Sequence, residues 1–299
     1  MSRRQPSLAE TLGEIRTRVD SRLDELVPRE SEKPELLHQA IRYSLTAPGK
    51  RVRPALTILA ATVFRGSIDL ALDPACAVEL VHTASLILDD LPSMDDATLR
   101  RGRKANHLVF GEDLSILAAF ALLNRAFSVV SESAHLSLRT RSDLAAILSR
   151  AIGSEGVVAG QTVDLRSTAQ TIDFETLEYI HSRKTGALFI ASAEMGAAVA
   201  GLSGKKLEPI HAYAKNLGLA FQILDDLLDL EGTAEQTGKT VQQDVKKTTF
   251  VSFSGASGAR SLASELVTVA VDALRPYGRR ADPLRELARS LLRDGVVQH

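Results

Sequence analysis

Tryptophan is absent from this chain, cysteine occurs once, and aromatic residues make up only 4% of it. With Cys76 alone no intrachain disulfide can form, so nothing requires an oxidising compartment, and the thiol reads as buried and inert. Neither sign of charge prevails, because 36 basic residues stand against 37 acidic ones. That balance excludes a global pull toward nucleic acid or an anionic membrane surface. Long apolar runs are also missing. The longest, Ile116 to Leu123, falls far short of the ~20 residues a membrane-spanning helix needs. The opening residues Met1 to Pro6 lack the apolar centre of a secretory leader. The expectation is a cytoplasmic protein without stable membrane insertion.

Alternating strand patterns bounded by hairpin turns are not found, nor are low-complexity tracts, long linkers or fixed-period repeats. What is present is helical periodicity. After Ser7, a capping residue, Leu8, Leu12, Ile15, Val19, Leu23 and Leu26 recur at steps of three and four. A second helix runs through Leu36, Leu37, Ile41 and Leu45 to Pro48-Gly49, and Pro54 suits the first turn of a third. Further helical windows cover roughly 75–91, 113–133, 141–164, 173–200, 205–230, 259–275 and 282–294. With 44% hydrophobic residues in 299, the chain can bury a sizeable core. The fold class expected is all-α, one domain over 1–299 with about ten helices.

Two acidic clusters interrupt this apolar background. Asp89-Asp90-Leu91-Pro92-Ser93-Met94-Asp95-Asp96 follows one apolar run, and Asp225-Asp226-Leu227-Leu228-Asp229 follows another. Grouped anions beside core-forming sequence are costly to desolvate unless something positive joins them. A hard divalent cation such as Mg²⁺ suits carboxylate oxygens. Asp225 and Asp229, four apart on a helix, lie about 40° apart around its axis, and Gln222 extends the same stripe. Asp89 and Asp95 would diverge on an unbroken helix. Pro92 disfavours continuity, and a bend there brings both to one rim. His82 and Ser85 continue the Asp89 stripe down the helix.

Basic groups stand beside both clusters: Lys50-Arg51-Val52-Arg53 between two helices, Arg100-Arg101-Gly102-Arg103-Lys104 after the first cluster, Lys184-Thr185-Gly186 at a helix start, and Lys239, Lys246 and Lys247 after the second. Arginine grips phosphate oxygens bidentately, and lysine supplies a mobile point charge. Carboxylates to hold a metal, flanked by cations to hold an anion, suit a metal-bound polyphosphate.

At these residues the chain resembles the trans-prenyl diphosphate synthases, most closely bacterial geranylgeranyl diphosphate synthases, from about Leu36 to Thr249. Asp89 to Asp95 is similar to the family's first aspartate-rich motif in its longer form, and Asp225 to Asp229 to the second. The resemblance implies a helical prenyl-synthase bundle around a central cavity, usually a homodimer, with three Mg²⁺ ions held by Asp89, Asp95 and Asp225. It implies an isopentenyl diphosphate site at Lys50, Arg53, His82 and Arg101, and an allylic diphosphate site at Arg100, Lys184, Thr185, Gln222, Lys239 and Lys247. Asp90, Asp226 and Asp229 complete the catalytic set with Lys184 and Arg100. Ala47-Pro48-Gly49 departs from the family's common Gly-Gly before the Lys-Arg step. The implied reaction ionises an allylic diphosphate, adds isopentenyl diphosphate head to tail, and loses a proton.

Ala84 and Ser85 lie about one turn, 5.4 Å, below Asp89. In the resembling family a bulky aromatic at the first of these positions stops growth at C15. Two small residues imply a C20 product, geranylgeranyl diphosphate, over the C15 alternative, farnesyl diphosphate.

Three other readings compete. Glu-x-x-His recurs at Glu35/His38, Glu79/His82, Glu132/His135, Glu178/His181 and Glu208/His211, as a di-iron carboxylate bundle would require, but this leaves the aspartate clusters unexplained. A terpene cyclase typically carries a second metal motif of Asn/Ser/Glu type. A non-catalytic subunit of a prenyl synthase would not need both clusters.

Overall fold

The computed structural model describes residues 7–64, 66–168, 170–231 and 248–293. Thirteen α-helices follow one another along them: α1 (Leu8–Leu26), α2 (Glu35–Leu45), α3 (Val52–Val63), α4 (Ile68–Asp89), α5 (Asn106–Phe110), α6 (Glu112–Glu132), α7 (Leu138–Ile152), α8 (Val157–Ser167), α9 (Phe174–His181), α10 (Ala187–Val199), α11 (Glu208–Glu231), α12 (Phe250–Ala273) and α13 (Asp282–Arg293). The class is all-α, as the periodicity indicates.

Local chemistry sets the boundaries. Ser7 and Glu10 form a reciprocal capping box that starts α1, with the Ser7 N–H donating to Glu10 Oε2 at 2.7 Å. The apolar face beyond it, Ile15, Val19, Leu23 and Leu26, is buried. Every residue of α3 from Pro54 to Ala61 is buried, as is most of α10, and the two helices pack together at the centre. Helices apolar all round belong inside a bundle. Outside them α4 packs on α6, and α11 runs along α12.

The window 141–164 is two helices, because the chain turns at Gly153–Gly156. The window 173–200 is α9 and α10 joined by a single π-helical turn, Ser182–Gly186. A hairpin also exists: Leu99–Arg100 (β1) pairs antiparallel with Arg103–Lys104 (β2) across Arg101-Gly102. Both turn residues have positive φ, 53° and 72°. This is the two-residue hairpin signature, in which glycine takes one left-handed position freely and Arg101 is held in the other. Two paired residues per strand leave no alternation to detect in the sequence.

One exclusion needs correction. α4 and α6 are both long and apolar enough to cross a membrane by length and composition. Counting uninterrupted apolar runs missed them, since isolated small polar residues break a run without making a helix polar. In α4, 67% of that span is inside the protein; in α6 only 39% is, so α6 keeps an apolar face outward.

Candidate active site

The bundle encloses a cavity of about 410 Å³. α4 ends at Asp89, and the chain then folds back on itself around Pro92: the Asp95 N–H donates to the Asp89 carbonyl at 2.9 Å, and the Ala97 N–H to the Asp90 carbonyl at 3.2 Å. The reversal sets Asp89 and Asp95 on one wall of the cavity. Gln222, Asp225, Asp226 and Asp229 line it from the uninterrupted helix α11.

Between the two acidic groups sits the π-turn. Its Lys184 Nζ is 2.7 Å from Asp164 Oδ2 on α8 and 3.8 Å from Asp95 Oδ2. π-helical turns widen a helix and commonly place functional side chains. α8 reaches this turn through Gly160, where any Cβ would lie 2.2 Å from the Lys184 backbone nitrogen. Thr185 Oγ1 donates to Gln222 Oε1 at 2.7 Å, and Gln222 Nε2 to Asp226 Oδ1 at 2.9 Å. The other Asp226 oxygen accepts the Phe250 N–H, so this buried carboxylate ties α11 to the start of α12.

Arginines form the remaining wall. The hairpin carries Arg100 and Arg101, while Lys50, Arg51 and Arg53 come from the loop into α3. Arg53 Nη1 approaches His82 Nε2 at 3.2 Å, and its guanidinium lies 4.7 Å from the centre of the Phe189 ring. A guanidinium only donates, so His82 accepts at Nε2 and carries its proton on Nδ1. Burial, followed by the charges of Arg53 and Arg101, pushes the His82 pKa well below the usual histidine value. The imidazole is therefore neutral. Burial also brings Arg53 down to about 10 and pushes Asp89 up to about 6.

Two expected site residues stand elsewhere. Asp90 does not line the cavity: it is buried behind the wall, with Arg100 Nη2 at 2.5 Å and Nε at 2.9 Å from its Oδ1. The helix ends at Asp89, so its successor turns inward and becomes the partner of a cavity arginine. Ala84 is fully buried in the core, whereas Ser85 lines the cavity. On α4 these two neighbours point about 100° apart, and only one can face the opening. Lys50, Arg53, His82, Arg100, Arg101, Lys184, Thr185 and Gln222 all line it. Lys239, Lys246 and Lys247 lie outside the described residues.

Among the lining residues not singled out from the sequence for this site are three that carry charge. Glu79 appeared there only within a Glu-x-x-His pair, Arg51 only within a basic run, and Asp164 not at all. Asp164 had a usable signal, Gln161 and Asp164 one turn apart directly after Gly160. The five Glu-x-x-His pairs are spread over α2, α4, the end of α6, α9 and α11. Among the described residues no three metal-ligating side chains form one cluster. A preformed di-iron centre is thus not built from them.

The donor set does fit Mg²⁺. That ion is commonly held by one or two carboxylates, with water and substrate phosphate filling its other positions. Asp89, whose charged form is disfavoured by burial, is a carboxylate that a cation would relieve.

Facing carboxylates and a basic wall around one helical cavity suit the binding of a metal-bound polyphosphate. The model of the family described as polyprenyl synthetase matches residues 34–260. The chain is 41% identical over 275 residues to the chloroplastic geranylgeranyl pyrophosphate synthase of Capsicum annuum, covering 90% of this chain and 74% of that one. It is 39% identical over 274 residues to the geranylgeranyl diphosphate synthase of Cyanophora paradoxa, covering 90% and 91%. The crystal structure of an FPP/GFPP synthase from Zymomonas mobilis superposes with a TM-score of 0.86 at 34% identity, over 95% of this chain and 98% of that one. The chain belongs to the polyprenyl synthetase family, and to the trans-prenyltransferase enzymes within it.

Proposed function

We propose that this enzyme condenses isopentenyl diphosphate head to tail with allylic diphosphates and that its main product is geranylgeranyl diphosphate. The carrying observation is the single cavity in which Asp89 and Asp95 on one side and Asp225 on the other meet a wall of arginines and Lys184. In this reading those three aspartates hold Mg²⁺, three ions per site. Bound Mg²⁺ supplies Lewis-acid stabilisation of the negative charge that develops on the departing diphosphate. Arg100, Lys184, Thr185 and Gln222 grip the allylic diphosphate, with Lys239 and Lys247 assigned to the same group from the sequence alone. Their hydrogen bonds strengthen as charge builds on the leaving oxygens, which lowers the barrier and does not merely tighten binding. Lys50, Arg53, His82 and Arg101 seat isopentenyl diphosphate, so that its double bond lies against the forming allylic cation. Leu86, Leu188 and Phe221 keep water from that cation.

The C20 product is supported by the small Ser85 on the lining below Asp89 and by the names of the two relatives above. We further propose that the chain folds as one domain and acts in the cytoplasm, which its single buried thiol suits. The proposed partner is a second copy of the chain. Leu108, Val109, Ile116, Leu117 and Phe120 stand exposed along α5 and one face of α6, Phe120 at 69%. Such an apolar face is normally covered.

The test is product chromatography after incubating purified protein with Mg²⁺, isopentenyl diphosphate and dimethylallyl, geranyl or farnesyl diphosphate. Accumulation of C20 from all three primers is expected. Arrest at C15 would make it a farnesyl diphosphate synthase, and no diphosphate release would favour the non-catalytic subunit.

A further inference from the structure

Four side chains of alternating charge run in line from Asp20 on the surface inward to the cavity wall, which the other three help to line. Asp20 on α1 accepts from Arg51 Nε at 2.7 Å, and Arg51 Nη1 donates to Glu79 Oε1 at 2.7 Å. Arg101 Nη2 donates to that same Glu79 oxygen at 3.1 Å. Glu79 is 2% exposed and sits on α4, three residues before His82. It is the residue where two separate loops meet. Arg51, entering α3, and Arg101, in the hairpin turn, both adopt the left-handed conformation, at φ 52° and 53°. Outside glycine that conformation is strained and persists only when the surroundings hold it. Arg51 donates from Nη2 to the Leu45 and Ala47 carbonyls as well, which ties its guanidinium to the protein at the edge of the cavity. Arg101 retains a buried Nη1 without a hydrogen-bond partner, as does Arg53 at Nε.

We propose that Glu79 is a positioning residue for isopentenyl diphosphate: through one carboxylate oxygen it fixes Arg101 in the cavity wall, and Arg51 and Asp20 brace it from behind. This rests on the functional reading above and extends it to residues that need not touch substrate. Simple charge arithmetic argues the opposite way. Glu79 pairs directly with Arg51 and Arg101 and acts electrostatically on Arg53, so removing its charge makes the pocket more cationic and would strengthen its pull on a diphosphate. Positioning and neutralisation therefore predict opposite signs.

The decisive variant is Glu79→Gln, compared with wild type in steady-state assays where each substrate is varied in turn. The KM for isopentenyl diphosphate is expected to rise about tenfold, with the allylic KM and kcat both within about threefold of wild type. A KM for isopentenyl diphosphate that falls or stays unchanged overturns the proposal, and so does an equal rise in both KM values, which a general loosening of the fold would produce. If Glu79→Gln does not fold, Asp20→Ala decides, since Asp20 is half-exposed on α1 and outside the cavity. It frees Arg51 to draw Glu79 away from Arg101, and a rise of about two- to fourfold in the same KM alone is expected. An unchanged KM there overturns the proposal. A wild-type enzyme that turns over neither substrate would overturn the functional reading beneath it instead.

Discussion

The two aspartate clusters share a spelling, Asp-Asp followed by a later Asp, and reach the cavity by different physical means. In the second, the helix continues. Its four-residue spacing alone puts Asp225 and Asp229 on one stripe with Gln222. In the first, the spacing is six, and the helix must end before Asp95 can join Asp89. In both, the middle carboxylate is buried and works as an anchor, but for different purposes. Asp90 holds a cation of the cavity wall, Arg100. Asp226 holds an amide, Gln222, and a backbone N–H at the start of α12. The same dipeptide thus serves ligand placement at one end of the cavity and helix packing at the other.

The harshest test of this comparison removes a cavity-facing aspartate from each side. Asp89→Ala and Asp225→Ala are each expected to lower kcat by about 10²–10³-fold, read as diphosphate release. If only one side matters, the two walls do not share one task. The anchors come next. Asp90→Asn replaces one of the two oxygens that accept from Arg100 by an amide donor, and this buried donor-to-donor clash should cost roughly 3 kcal/mol in urea unfolding even though burial raises the Asp90 pKa. Asp226→Asn still presents an oxygen to Gln222 or to the Phe250 N–H, so it should cost nearer to about 1 kcal/mol. Equal losses would erase the distinction between the anchors.

Smaller effects separate buried carboxylates of opposite tuning. Burial raises Asp89 to about 6, so its charged form costs stability above that pH in metal-free protein. Asp89→Asn should therefore melt a few degrees higher than wild type at pH 7, with the gap closing as pH falls from 6 toward 4. For Glu79, burial works upward, but Arg101 and Arg51 outweigh it and hold the group below the ordinary carboxylate value. Its contribution is present above that value and is lost as pH falls through the lowered pKa. Glu79→Gln should flatten that acid limb of the wild-type melting curve. Identical pH profiles for the two variants would refute this assignment of opposite roles.

The last contrast lies within α4. Ser85→Tyr, on the lining, should shift the product toward C15 with the fold intact. Ala84→Tyr forces a ring into a packed core and should cost about 1–3 kcal/mol or more. A change in the product ladder from Ala84→Tyr without loss of stability would mean that the floor lies under Ala84 after all.

What could be read from the residues in order was whatever depends on short-range spacing. The 3.6-residue period announced the helices, the i,i+4 pair announced the α11 stripe, and Pro92 announced the bend after Asp89. The reversal of Asp90 was hidden, because a motif shows which residues are acidic but not which way each points once a helix has ended. Glu79 and Asp164 were hidden for a related reason. Their partners, Arg101 and Lys184, are 22 and 20 residues away, and nothing local marks such a pair. The hairpin escaped because four paired residues carry no periodic signal.

Local sequence by itself determined the helical class and the chemical character of the site, since helix formation and the clustering of carboxylates are set by neighbours within a turn or two. Only the tertiary structure decided which aspartates face the cavity, which arginines are spent inside the wall, and which of Ala84 and Ser85 meets the opening. Those choices turn on which distant charges and apolar faces come together when the helices pack, and that depends on the whole chain at once.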